Sequence, residues 1–233
     1  MVGVSYPLGA FCQTPNALWY NGPVRLGVIE IGNTRVHRAV FDGTRLRPHD
    51  GRPVDLWIGA RVGRAPLPRG TLLLGRDFPP LVRNRALRPR TVGADRLALA
   101  SAAWARAGGP CVAVSMGTAI TVNVVNARGE FLGGLIAPGL RMMARALHEG
   151  TALLPEVHPV RRKEALGRHT REAIASGISL AAEGLIRLSL RRFRGRVFGT
   201  GGDAPAFADL FDEVVPDLVL EGILRSYLCS SRS

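Results

Sequence analysis

A strand, glycine turn, strand unit occurs twice in this chain, and the repetition constrains the fold more than any other feature. In the first copy Val24–Glu30 is a β-rich run, Gly32-Asn33-Thr34 a tight turn, and Val36–Phe41 a second run closed by Asp42-Gly43. That is the pattern of a hairpin with turn residues at both ends. About 85 positions later Val112–Ser115, Gly117-Thr118 and Ile120–Val125 repeat it, ending near Arg128-Gly129. Glu30-Ile31-Gly32-Asn33-Thr34 and Ser115-Met116-Gly117-Thr118-Ala119 match in shape, so the chain reads as a duplicated architecture rather than one sheet.

The remaining segments read as α/β. Short strands are predicted at Leu56–Ile58 and Leu72–Leu74, then a Pro- and Arg-rich loop from Phe78 to Pro89. Gly93–Ala107 reads as a helix with Leu97, Ala100 and Trp104 on one stripe, stopped by Gly108-Gly109. Gly133-Gly134 leads through Pro138-Gly139 into a helix over Leu140–His148, and Thr170 caps a long helix from Arg171 to about Arg192. Arg196–Phe198 is a strand running into Gly199-Thr200-Gly201-Gly202-Asp203; helices over Asp203–Leu210 and Leu220–Leu228 flank a short strand at Val214–Val215. A helix followed by a strand and a glycine turn is an α/β signature. Residues 1–23, with Pro7, Pro15, Gly22 and Pro23 and no periodicity, read as an irregular N-terminal extension. The expected organisation is that extension, then subdomains over 24–110 and 111–233.

Composition narrows the function classes. Of 233 residues 46% are hydrophobic, enough for a real core. The net charge of +13 is an arginine charge, Lys163 being the only lysine, and it predicts attraction to anionic ligands such as nucleotides. Arg187, Arg191, Arg192, Arg194 and Arg196 gather near one helix end, as a polyanion site or as a solvated face complementing that helix end. With one aromatic among them, Phe193, and no nucleic-acid motif, a nucleic-acid partner is not expected. Cys12, Cys111 and Cys229 form no CxxC pair, and the five histidines show no ligand spacing, which argues against a disulfide framework or zinc site. The longest apolar stretch, Cys111–Val125, is polar-interrupted and too short for a membrane span, and the first 24 residues lack the basic start of a secretory signal. The expectation is a cytoplasmic protein with no membrane partner.

Three glycine turns follow predicted strands, at Gly32, Gly117 and Gly201-Gly202. Turn amides with neighbouring hydroxyls are how chains hold phosphates, although single turns of this kind are common in ordinary hairpins. Phosphoryl transfer also needs carboxylates. Glu30, two residues before Gly32, either reaches a Mg²⁺ ion or is a strand-end charge; Asp95 is either a general base or a first-turn carboxylate favoured by the helix dipole. No GxSxG, Walker A or GxGxxG-after-strand sequence is present.

In order and spacing, Glu30 to Arg35, Gly93-Ala94-Asp95-Arg96, Ser115 to Thr121, Gly133 to Gly139, Thr170 to Gly177 and Gly199 to Gly202 resemble the type III pantothenate kinases. The resemblance runs from roughly Val24 to Leu224 and implies a duplicated actin-like (ribonuclease H-like) two-domain kinase fold, with mixed β-sheets flanked by helices. It implies ATP- and Mg²⁺-dependent phosphorylation of pantothenate, the first step toward coenzyme A, by a homodimer. By the same resemblance Glu30, Ile31, Gly32, Asn33, Thr34, Arg35, Val36 and His37 hold ATP phosphates and metal, with Thr118, Gly201 and Gly202 also on the nucleotide. Gly93, Ala94, Asp95, Arg96 and Thr170 contact pantothenate, and Asp95 is the base. Three positions depart from the pattern. Glu30 and Ser115 stand where the family usually has Asp, and Ala86 stands where it often has Tyr. Ser115 lies in the position that contributes to a monovalent-cation (K⁺ or NH₄⁺) site, so weakened K⁺ binding is expected. A catalytically degenerate, nucleotide-binding regulator is the alternative.

Overall fold

The computed structural model describes residues 25–161 and 166–231, and forms two compact units. The predicted extension over 1–23, with Val24, lies outside the described residues. One unit holds the chain through Pro110, the segment Val125–Phe131 and the chain from Leu218 on; the other holds Cys111–Val124 and Leu132–Asp217. The last helix, read from sequence with the second half of the chain, therefore belongs to the first unit.

The first unit is built on a five-stranded sheet of β1 (Leu26–Ile31), β2 (Val36–Phe41), β3 (Leu46–Pro48), β4 (Leu56–Arg61) and β5 (Leu72–Leu73), in the order β3-β2-β1-β4-β5. β1 runs antiparallel to β2, Glu30 opposite His37, and parallel to β4, Ile29 opposite Gly59. Strand β1 is buried almost throughout, which is why its sequence, LGVIEI, is a continuous apolar run broken only by Glu30. Against the sheet lie α1 (Ala94–Ala107) and α4 (Leu218–Ser230). Leu26, Val28, Ile58, Ala98, Ile223, Leu224 and Tyr227 share one core. α1 starts at Gly93 and stops at Gly108, which adopts the left-handed conformation at φ 64° that ends helices without a Cβ penalty.

The second unit repeats the topology. Its strands β7 (Cys111–Met116), β8 (Ala119–Val125), β9 (Glu130–Pro138), β10 (Arg196–Thr200) and β11 (Glu213–Val214) are ordered β9-β8-β7-β10-β11, third, second, first, fourth, fifth, as in the first sheet. β10 is parallel to β7, with Thr200 opposite Ser115, and to β11. The duplication read from two glycine turns is thus a duplication of whole sheets, the actin-like, ribonuclease H-like arrangement. α2 (Leu140–Glu149) and α3 (Thr170–Arg192) complete the unit. α3 is long and apolar enough to cross a membrane by composition, yet Ile174, Ile178, Ala182 and Ile186 lie in the core with Val112, Val114 and Phe207, so its hydropathy is that of a core helix.

The structure departs from the sequence reading at several elements. Gly133-Gly134, read as a lead-in to a helix, lies inside the nine-residue β9. The loop predicted from Phe78 to Pro89 contains β6 (Arg83–Asn84), which pairs with the first residues of β9, Arg83 opposite Glu130. Both were hidden because glycine and arginine carry no strand signal; backbone pairing decides there. Asp203–Leu210 is a 3-10 segment over Ala204–Leu210 rather than an α-helix. α3 is capped at His169, with Thr170 its first residue, and Glu172 accepts a hydrogen bond from the Arg168 N–H at 3.0 Å.

Candidate active site

In the first unit the turn after β1 is a four-residue connection in which the Gly32 N–H donates to the Arg35 carbonyl at 3.0 Å. The Gly32 amide is therefore spent inside the turn, and Asn33, Thr34 and Arg35 stand exposed at its tip. Ile31 is fully buried and Val36 opens β2, so both anchor the turn. Glu30 and His37 face each other across the hairpin, His37 Nδ1 lying 3.2 Å from Glu30 Oε2; Glu30 is 16% exposed.

Asp95 sits in the first turn of α1, half-buried. Its Oδ1 accepts the Arg96 N–H at 2.8 Å. Burial pushes the Asp95 carboxyl above its ordinary value; the Arg96 N–H opposes that, and the negative charge of Glu30 adds to it. The contribution of Glu30 to that shift puts the two carboxyl groups in one electrostatic neighbourhood. Arg96, also partly desolvated, lies over the Phe131 ring at 5.5 Å.

Gly63 also belongs to this cluster, although nothing in its sequence surroundings marks it. The N–H groups of Val62 and Gly63 both donate to the Ile31 carbonyl at 2.9 Å. A Cβ at Gly63 would lie 2.0 Å from the Gly32 carbonyl oxygen, so only glycine fits the approach. The segment after β4 thereby buttresses the first turn. Phe131, the platform for Arg96, was equally unmarked.

In the second unit the Gly117 N–H donates to the Ala119 carbonyl at 3.1 Å, closing the turn, and Thr118 is half-buried. Ser115, near the end of β7, lies opposite Thr200 of β10. The Asp203 N–H donates to the Met116 carbonyl at 3.1 Å, and the Thr200 hydroxyl to the Pro216 carbonyl at 3.0 Å. Ser115, Thr118, Gly201 and Gly202 thus form one cluster where β7 and β10 end. Gly139 completes it: its N–H donates to the Thr118 carbonyl at 2.9 Å, and a Cβ there would meet the Gly117 carbonyl oxygen at 2.1 Å. Thr170 is exposed at the start of α3.

Two of the five arginines near the end of α3 are matched by acids. Arg187 pairs with Glu183 at 2.7 Å and Arg196 with Glu213 at 3.5 Å, while Arg191 and Arg192 occupy the last helical turn. That is a solvated face complementing a helix end. No group of three or more His, Cys, Asp or Glu side chains poised for a metal exists among the described residues. Cys111 is buried, and its thiol is pushed up to about 12, away from reactivity.

Residues 71–192 match the family model of type III pantothenate kinases. The type III pantothenate kinase of Dehalococcoides mccartyi strain CBDB1 is 38% identical over 250 aligned residues, covering 87% of this chain and 95% of that protein. The enzyme of that name from Akkermansia muciniphila is 40% identical over 159 residues, covering 64% of this chain and 62% of its own. A crystal structure described as that of a Baf family transcriptional activator from Campylobacter jejuni superposes with a TM-score of 0.60 at 19% identity, covering 89% of this chain and 100% of its own; this likeness is one of fold. With the matched segment spanning β5 through α3 and a relative aligned over almost its whole length, this chain belongs to the type III pantothenate kinase family.

Proposed function

We propose that this chain transfers the γ-phosphoryl group of ATP to the primary hydroxyl of pantothenate, the first step of coenzyme A biosynthesis, with Asp95 as the base. The observation that carries the assignment of the base is the desolvated carboxyl of Asp95, inside Gly93-Ala94-Asp95-Arg96 and beside Glu30. A carboxylate raised above its ordinary value accepts a proton more readily than a solvated one. In the reaction the substrate hydroxyl oxygen forms a bond to the γ-phosphorus, the bond from that phosphorus to the β–γ bridging oxygen breaks, and ADP leaves. The hydroxyl proton passes to Asp95. Arg96, held over Phe131, orients the substrate, with Gly93 and Ala94 as its further contacts.

In the first unit the exposed tip Asn33-Thr34-Arg35 is the phosphate-binding turn; in the second unit Thr118, Gly201 and Gly202 are the nucleotide contacts. Mg²⁺ fits the donor set: Glu30 offers one carboxylate next to a second, matching an ion that keeps most of its waters and binds through one or two carboxylates plus phosphates. Glu30 would hold it, and the ion would offset phosphate charge. The neutral Ser115 fits a monovalent cation poorly, so K⁺ or NH₄⁺ has little effect on the rate.

The enzyme works as a cytoplasmic homodimer. Exposed apolar side chains on β9 (Leu135, Ile136), α2 (Met142, Leu147) and α3 (Leu180) support association. The test is pantothenate-dependent ADP release with Mg²⁺-ATP, on the wild type and on Asp95→Asn. Turnover that survives the substitution undiminished removes Asp95 as base, and a silent wild type that still binds ATP identifies the regulator alternative.

A further inference from the structure

Two side chains of α1 meet the segment Val125–Phe131, where the chain turns from β8 into β9, and all of these residues belong to the first unit. Near the start of the helix the Arg96 guanidinium lies 5.5 Å from the centre of the Phe131 ring, within cation–π range. Eight residues further on, the Trp104 ring lies against Gly129, where a Cβ would stand 2.8 Å from its Cζ2 atom. At about 1.5 Å per residue the two contacts are roughly 12 Å apart along the helix, so the turn meets α1 at two separated points.

The turn itself is tightly braced. The Glu130 N–H donates to Asn126 Oδ1 at 3.0 Å, the Asn126 N–H to the Glu130 carbonyl at 3.1 Å, and Asn126 Nδ2 to Glu130 Oε2 at 2.8 Å. The other carboxylate oxygen of Glu130 accepts from Arg85 Nε at 3.0 Å. Around β6, the Arg83 N–H donates to the Gly129 carbonyl at 2.8 Å and the Arg85 N–H to the Phe131 carbonyl at 2.9 Å. Gly129 has a φ of 70°, so glycine both makes the turn and leaves room for Trp104. Phe131 is fully buried, and close packing denies its ring the freedom to follow a moving cation.

Arg96 needs such a platform. A long side chain held in one geometry gives up rotamer entropy, which a fixed partner offsets. A flat ring against the guanidinium also fixes the plane of its fork, and with it the direction in which its donors point.

We infer that Phe131 is a positioning residue for the substrate: presented by a turn that Trp104 and Glu130 hold against α1, it fixes the plane of the Arg96 guanidinium and so sets the affinity for pantothenate. The inference rests on the reading above that Arg96 orients the substrate.

The test is a double-mutant cycle on the full chain, with pantothenate affinity followed by titration calorimetry and KM for ATP measured alongside. Phe131→Leu keeps an apolar side chain in the core but removes the aromatic face; it weakens pantothenate binding about fivefold or more and leaves KM for ATP within about twofold of wild type. In an Arg96→Gln background the same substitution changes pantothenate affinity by less than about twofold, because the group it acts through is gone. Gly129→Ala, which forces the turn and the Trp104 ring apart, follows the same pattern at about threefold or more, and carries the comparison if Phe131→Leu fails to fold. The proposal is overturned if the variants bind pantothenate as the wild type does, if they weaken it equally with and without Arg96, as a general loosening of the core would, or if KM for ATP rises as much as pantothenate binding falls. Arg96→Gln binding pantothenate as tightly as the wild type is a separate result: it removes the role of Arg96 itself, and with it the route through which Phe131 acts.

Discussion

Gly63→Ala is the sharpest perturbation of the site, because it adds one methyl group at a contact with no slack. The new Cβ would stand 2.0 Å from the Gly32 carbonyl oxygen and 2.8 Å from its carbon, whereas ordinary contact begins at 3.4 Å, so the turn must retreat by about 1.4 Å (3.4 minus 2.0). The neighbour is backbone and cannot rotate away. Retreat also strains the two hydrogen bonds, each 2.9 Å, that Val62 and Gly63 donate to Ile31. Overpacking of this kind costs about 1–3 kcal/mol, which at about 2–4 °C per kcal/mol for a chain of this size lowers the melting temperature by roughly 2–12 °C. The turn carries the proposed phosphate-binding residues, and a shift of about 1 Å in such a segment costs on the order of 100-fold in rate. Thermal unfolding and kcat/KM for ATP are the assays. Gly109→Ala, where a Cβ meets nothing within 4 Å, is the control and stays close to wild type in both. A Gly63→Ala protein indistinguishable from that control in melting temperature and kcat/KM would refute the buttress.

Asp95→Asn lowers kcat by about 10²–10⁴-fold if Asp95 is the base. Because burial raises the Asp95 pKa, its charge disfavours the folded state above that pKa and the penalty disappears as pH falls through it. Asp95→Asn is therefore more stable than wild type at pH 8, with the gap closing in acid; a variant less stable at pH 8 contradicts the desolvated site. For the same reason the acidic limb of kcat/KM in the wild type lies above the ordinary carboxylate value of 3.8. Glu30→Gln raises the Mg²⁺ requirement by on the order of 10–100-fold, as expected for a carboxylate acting through metal-bound water, measured as the Mg²⁺ concentration for half-maximal rate. Ser115→Asp makes turnover respond to K⁺ where the wild type does not; a wild type strongly activated by K⁺ refutes this reading. In the first unit Glu221 holds Arg106 at 2.6 Å and Arg225 at 2.7 Å, largely out of solvent. Glu221→Leu removes the carboxylate that both guanidinium groups share and costs about 3–5 kcal/mol in chemical denaturation, whereas Arg106→Met leaves Glu221 paired and costs less.

Much of the architecture was legible because it rests on local signals. The β2 range is as read, Val36–Phe41, and α1 differs from its reading by one residue, since a run bounded by turn residues, a left-handed glycine stop and an apolar stripe act within a few residues of sequence. The strand through Gly133-Gly134 and the two-residue β6 were not legible, because their existence depends on a partner strand distant along the chain.

In the site the division falls along the same line. Sequence by itself determined which groups are present: two glycine turns of matching shape, the carboxylates Glu30 and Asp95, and the family they belong to. Only tertiary structure decided how Asp95 behaves, since its raised pKa comes from burial and from Glu30, which lies 65 positions away (95 minus 30). Tertiary structure also decided that Gly63 and Gly139 must be glycine. Each is pressed against a carbonyl oxygen that folding, not sequence proximity, brings beside it.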